Sequence, residues 1–131
     1  MTNTVVRKDS VVYPRLSYAI VGTLFDVYNE IGYGYHEKYY QRAAAHCFFQ
    51  KGLKFTEQVY CPLKFRGEVV GRFFFDFLIE DKVILEIKKD GRFSKRFVDQ
   101  VNHYLRVSGL QLALLVNFSR DGVHVKRFVN L

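Results

Sequence analysis

At 131 residues, with 49% hydrophobic and 17% aromatic content, the chain suffices for one domain with a full core, which excludes a disordered protein. No apolar run reaches the ~18 residues of a membrane span, and the polar start MTNTVVRKDSVVYPR lacks a signal-peptide core, so a non-membrane protein is expected. A net charge of +7 favours an anionic partner, nucleic acid before membrane, while two isolated thiols, Cys47 and Cys61, without CxxC or paired-histidine spacing, suit reduced cysteines in a reducing cytoplasm.

In chain order, residues 1–16 read as an N-terminal arm and 17–131 as a single domain. Ser17 is expected to cap a helix from Tyr18 to Ile31, in which Ile20, Val21, Leu24, Val27, Tyr28 and Ile31 recur at helical spacing. Gly32-Tyr33-Gly34 ends it. A second helix is expected from His36 to Lys51, with Glu37 in the first turn, where the helix dipole favours a carboxylate, and Tyr40 on nearly the same face. His36 and His46 have no ligand partners at useful spacing. Lys54 to Phe65 reads as a strand with a break near Pro62, and Arg66-Gly67 as a two-residue hairpin turn, with Gly71 a candidate bulge.

The stretch FFFDFLIEDKVILEIK, Phe73 to Lys88, reads as two strands around a turn at Glu80-Asp81-Lys82. A loop of odd length pairs Ile79 with Val83, Phe77 with Leu85 and Asp76 with Glu86. Opposed residues share a face, so two carboxylates converge, and Lys88, two residues on, joins them. Phe73, Phe75, Phe77, Ile79, Val83, Leu85 and Ile87 are expected on one face; Phe74, Leu78 and Ile84 surround the charges on the other. Two carboxylates about 5 Å apart repel by roughly 3 kcal/mol at an effective dielectric near 20. One must take a proton, pair with Lys88 or share a cation, and a divalent cation with a preference for oxygen resolves the conflict most directly. An ordinary Glu86–Lys88 pair on a solvated face is the alternative.

Beyond Lys88 the chain turns basic: Lys89, Arg92, Lys95 and Arg96 stand against Asp90 alone, as suits a polyanion reaching the site or a solvated loop. Ser94 caps a third helix, Lys95 to Ser108, closed by Gly109, with Gln100 and Tyr104 on one face and Asp99 and His103 spaced as a surface pair. Leu112 to Phe118 and Val123 to Val129 are the last strands. The order helix, helix, antiparallel strands, helix, strand, strand gives an α/β fold of α+β type, a mixed sheet flanked by helices.

This order of motifs resembles the PD-(D/E)XK nuclease superfamily, and within it the small GxxExxY branch. Gly34-Tyr35-His36-Glu37-Lys38-Tyr39-Tyr40 matches the signature, Asp76 with Glu86-Ile87-Lys88 the core motif, and Gln100 with Tyr104 the Gln-x-x-x-Tyr element of RecB-like members. Leu114-Leu115-Val116-Asn117-Phe118 and Lys126-Arg127 resemble the closing strands. Phe75 stands where a proline often precedes the first aspartate. The resemblance implies a restriction-endonuclease-like core and a metal-dependent phosphodiesterase on nucleic acid, with DNA favoured. Asp76, Glu86, the Ile87 carbonyl and Glu37 would hold Mg²⁺ or Mn²⁺. Lys88 would orient water or stabilise charge, and Gln100 and Tyr104 would steady the site or touch the phosphate backbone. A catalytically silent fold that binds nucleic acid or a protein is the alternative, and a homodimer is allowed.

Overall fold

The computed structural model describes residues 12–89 and 91–130; most of the expected arm, residues 1–11, lies outside them, as does Asp90. Helix α1 spans Pro14–Ile31 and opens within the stretch read as an arm. Proline's fixed φ suits the first helical turn, so the helix begins before Ser17. Ser17 is therefore a buried helical residue rather than a cap, and its hydroxyl accepts from Arg127 Nη1 at 3.1 Å. Helix α2, Glu37–Gln50, takes His36 as its cap, with Nδ1 accepting the Lys38 N–H at 3.2 Å. Helix α3, Lys95–Ser108, runs from the Ser94 cap to Gly109 at φ 73°, as expected. Among the described residues no helix is long and apolar enough to cross a membrane.

Five strands, β1 (Phe55–Phe65), β2 (Glu68–Ile79), β3 (Val83–Lys88), β4 (Leu112–Ser119) and β5 (Gly122–Val129), form one sheet in chain order. All neighbours are antiparallel except β3 and β4, which α3 joins as a crossover. Flanked by strands on both sides and helices on both faces, β4 is buried along its whole length, and β3 nearly so. Ile20, Leu24, Val27, Ala44 and Phe48 of α1 and α2 pack on Phe77, Ile79, Leu85, Ile87 and Leu114. On the other face Val101, Tyr104 and Leu105 of α3 pack on Cys61, Phe75, Ile84 and Leu115. Cys47 and Cys61 are free thiols.

The odd-numbered apolar residues of β2 do not share one face, contrary to expectation. Phe77 and Ile79 face α1 and α2, whereas Phe73 and Phe75 face α3. β1 does the same: Phe55 lies with the first cluster, Val59 and Cys61 with the second. The exchange occurs at Gln58, whose φ of 50° is left-handed in mid-strand; Glu57↔Phe77 and Val59↔Phe75 are paired on either side of it. One left-handed residue turns the strand over, and alternation resumes with the faces exchanged. The bulge expected near Gly71 is present, the register shifting between Leu63 and Lys64.

Asn117, fully buried on β4, ties down the basic loop. Its Oδ1 accepts the Gly91 N–H at 3.0 Å, and its Nδ2 donates to the Arg92 carbonyl at 2.5 Å. Asn117→Ala is expected to cost about 2 kcal/mol through lost hydrogen bonds and a buried gap. Thermal unfolding would register this as a fall in Tm of roughly 5–10 °C.

Candidate active site

The site lies where the sheet forks. β2 and β3 pair over Ile79↔Val83, Leu78↔Ile84 and Phe77↔Leu85, the register expected from a three-residue turn. Past that point β2 pairs only with β1, while β3 continues along β4 from Glu86 to Lys88. Side chains take over the missing rungs. The Asp76 N–H donates to Glu86 Oε1 at 2.6 Å, and the Ile87 N–H donates to Asp76 Oδ2 at 2.7 Å. Each acid thus satisfies a backbone donor of the diverging strands and is fixed in orientation.

Glu86 is 3% exposed. Burial first, then the charge of Asp76, pushes its carboxyl up to about 8; burial pushes that of Asp76 up to about 6. The Lys88 charge opposes both shifts. Its Nζ lies 3.8 Å from Glu86 Oε2 and 4.4 Å from the centre of the Phe97 ring, so an aromatic wall holds the ammonium beside the acids. Glu37, at the start of α2, adds negative potential to both carboxyls. The structure therefore brings Asp76, Glu86, Lys88 and Glu37 into one electrostatic neighbourhood, with the Ile87 backbone between the first three.

Tyr104 closes the fork from α3. Its hydroxyl donates to the Phe74 carbonyl at 3.2 Å and its ring lies 5.2 Å from that of Phe75. At 1% exposure it steadies the diverging strand from within. Gln100, one turn earlier, lines a surface cleft beside Phe73 and Arg96. Tyr40, fully buried, braces α2 through its hydroxyl on the Gly32 carbonyl at 2.6 Å and its ring 4.4 Å from Phe118. In the basic segment, Lys89 is half-buried and Arg92, Lys95 and Arg96 are exposed. Lys95 pairs with Asp99 at 2.7 Å, so the expected Asp99–His103 pair does not form; His103 is buried instead.

Gln58 was not singled out by the sequence. It lies on β1 between Glu57 and Val59, whose partners Phe77 and Phe75 flank Asp76; its Nε2 donates to Gln41 Oε1 at 3.4 Å, and its side chain favours the charged form of the Asp76 carboxylate. A lone glutamine in an alternating strand carries no signal of its own; only the left-handed φ marks it. Gln58→Ala keeps the backbone strain and loses the amide, whereas Gln58→Gly loses the amide and relieves the strain. Thermal unfolding should therefore find the glycine variant more stable than the alanine variant by about 1 kcal/mol.

The donor set suits a hard divalent cation. Two oriented carboxylates, both raised by burial and Glu86 also by the Asp76 charge, with Glu37 adding negative potential, favour a cation with a preference for oxygen. Among the described residues no group of three or more histidine, cysteine, aspartate or glutamate side chains is arranged to hold a metal ion.

Comparison with known proteins adds a family match: the model of the PD-(D/E)XK nuclease superfamily fits residues 14–128. No curated protein matches the chain. Among solved structures, an alkaline exonuclease from Laribacter hongkongensis aligns at 17% identity and a TM-score of 0.49, over 69% of this chain and 54% of its own. The structure of SSO0001 aligns at 15% identity and a TM-score of 0.49, over 94% and 66%. The chain thus spans about half to two thirds of those proteins.

Proposed function

The chain belongs to the PD-(D/E)XK nuclease superfamily, and from that premise we propose that it is a metal-dependent phosphodiesterase of the GxxExxY branch that cleaves nucleic acid, DNA in the first instance. The observation that carries this reading is the fork itself: Asp76 and Glu86 buried side by side, each anchored by a backbone N–H, with Lys88 against them.

Asp76, Glu86 and the Ile87 carbonyl would hold Mg²⁺ or Mn²⁺, with Glu37 contributing a carboxylate from α2. The cation, when bound, supplies Lewis-acid polarisation of a phosphate oxygen and a more acidic water. Lys88 holds a positive charge where negative charge develops on the phosphorane, and it orients the attacking water. Gln58 supports the charged form of Asp76. Tyr104 and Phe75 wall the fork with rings and exclude bulk water from the acids, which strengthens every charge interaction there. The basic segment, with Lys89, Arg92, Lys95 and Arg96, supplies cations for the phosphate backbone.

The test is incubation of supercoiled plasmid and of a labelled single-stranded DNA with wild type, Asp76→Ala and Lys88→Ala in Mn²⁺, Mg²⁺ and EDTA. Cleavage of at least one of the two substrates is expected for the wild type in metal alone, with loss in both variants. Cleavage unchanged in Asp76→Ala would remove the assignment of this site.

A further inference from the structure

Beside the fork, on the α3 side, a cleft of about 560 Å³ opens between the β1–β2 hairpin and α3. That volume is within the range of ligand sites. The face exchange at Gln58 creates it, by turning the distal hairpin toward α3. The cleft has two kinds of lining. Its floor is apolar or uncharged: Leu63, Phe73 and the imidazole of His103. Its rim carries Arg96, Arg106 and Gln100 on α3. Lys95 and Asp99 also border it but neutralise one another at 2.7 Å. Neither arginine makes an ion pair among the described residues.

His103 sharpens the reading. It is 8% exposed, and its Nε2 has no hydrogen-bond partner among the described residues. Burial and the neighbouring Arg106 guanidinium hold the imidazole below its usual pKa, so the floor is uncharged at neutral pH. The Phe73 ring meets the imidazole at 5.1 Å and 61°, and is only half-buried, so part of that ring is open to the cleft it lines. A flat, uncharged floor under a guanidinium rim suits a heteroaromatic ring with phosphates attached. A lipid or peptide would need a longer apolar trough, and a paired duplex presents no free ring face.

Building on the phosphodiesterase reading, we propose that this cleft takes one unpaired base of a single-stranded nucleic acid, stacked on Phe73, with its flanking phosphates on Arg96 and Arg106. The cleft adjoins the candidate site: Phe73 precedes Asp76 by three residues, and the His103 and Tyr104 rings are 6.0 Å apart. A strand seated by one base would deliver a neighbouring phosphate to the fork. The substrate class is then a single strand, or a duplex end with an unpaired overhang.

The experiment is an abasic scan. A fluorescein-labelled single-stranded DNA of mixed sequence, about 12 nucleotides long, is made in a series with one abasic sugar at each position. Binding to the whole chain is measured by anisotropy in EDTA, and cleavage of the same strands is measured in Mn²⁺. One position should lose about tenfold in affinity, the scale of one base stacked on an aromatic side chain. The loss should vanish in Phe73→Ala, folding being checked by circular dichroism, whereas the exposed change Arg96→Ala should weaken all strands and leave the dip. A wild-type profile flat within about twofold, or a dip undiminished in folded Phe73→Ala, overturns the proposal. Cleavage with a flat profile removes the cleft and keeps the phosphodiesterase reading; a dip without cleavage in any metal keeps the cleft and removes that reading.

Discussion

Replacing Glu86 by glutamine is expected to lower Mn²⁺-dependent cleavage by at least about 100-fold and yet to raise the thermal stability of the metal-free protein at pH 8. The first half follows from the proposed role of Glu86 as a charged ligand and from the loss of part of the field at the fork. The second follows from the fork. Glutamine keeps an oxygen for the Asp76 N–H, which Glu86 Oε1 now accepts at 2.6 Å. Its amide N–H can also face the Asp76 carboxylate, so repulsion becomes attraction. The repulsion removed is about 3 kcal/mol at an effective dielectric near 20, and with some loss of the Lys88 pairing a net gain of about 2 kcal/mol remains. Scanning calorimetry in EDTA should find Tm higher by roughly 5–10 °C. A variant that is both inactive and less stable would show that Glu86 serves the fold and would refute the stored-repulsion account.

Metal-free wild type should lose stability as pH rises from about 4 to about 8. The carboxyls of Asp76 and Glu86 ionise from ordinary values of 3.8 and 4.5 in the unfolded chain but only near 6 and 8 in the folded one. Between those limits the folded state binds more protons than the unfolded state, so deprotonation favours unfolding, by an amount on the order of a few kcal/mol. Above about pH 8 the loss is complete. On the proposed reading Mg²⁺ or Mn²⁺ would bind the charged form, so added metal should raise Tm strongly at pH 8 and hardly at pH 5. Melts at pH 5, 6.5 and 8, with EDTA and with metal, check this. Glu86→Gln should flatten most of the slope; an equal slope in both proteins would assign it to other groups.

The elements with self-contained local signals were legible in the sequence. Ser94 and Gly109 bounded α3 because a cap and a left-handed glycine act within a few residues. The pairs Ile79↔Val83 and Phe77↔Leu85 were legible because the turn at 80–82 sets the parity of the hairpin, whereas the expected Asp76–Glu86 pair does not form as a rung and the two acids meet through side-chain bonds to the backbone. The start of α1 was set by Pro14, and Ser17 gave a false cap because its partner, Arg127, lies 110 residues away. The exchange of faces at Gln58 left no trace: Phe55, Val59 and Cys61 on β1, and Phe73, Phe75 and Phe77 on β2, are apolar at odd positions on both sides of it. Period-two patterning reports that alternate residues are covered, not which layer covers them. The parting of β2 from β3 was equally silent, because the acids themselves replace the lost rungs.

That parting also separates two kinds of evolutionary freedom. Residues 76–88 carry both acids and the lysine and are clamped in the centre of the sheet. Among the described residues the distal hairpin, 59–75, pairs with no other strand, and it rests on α3 through Cys61 and Phe75 near its base. Its tip can lengthen, shorten or change sequence while the reacting groups hold their places. A chain built this way can exchange one hairpin end while the acids and the lysine keep their positions, so on the proposed reading the choice of strand could be revised apart from the chemistry.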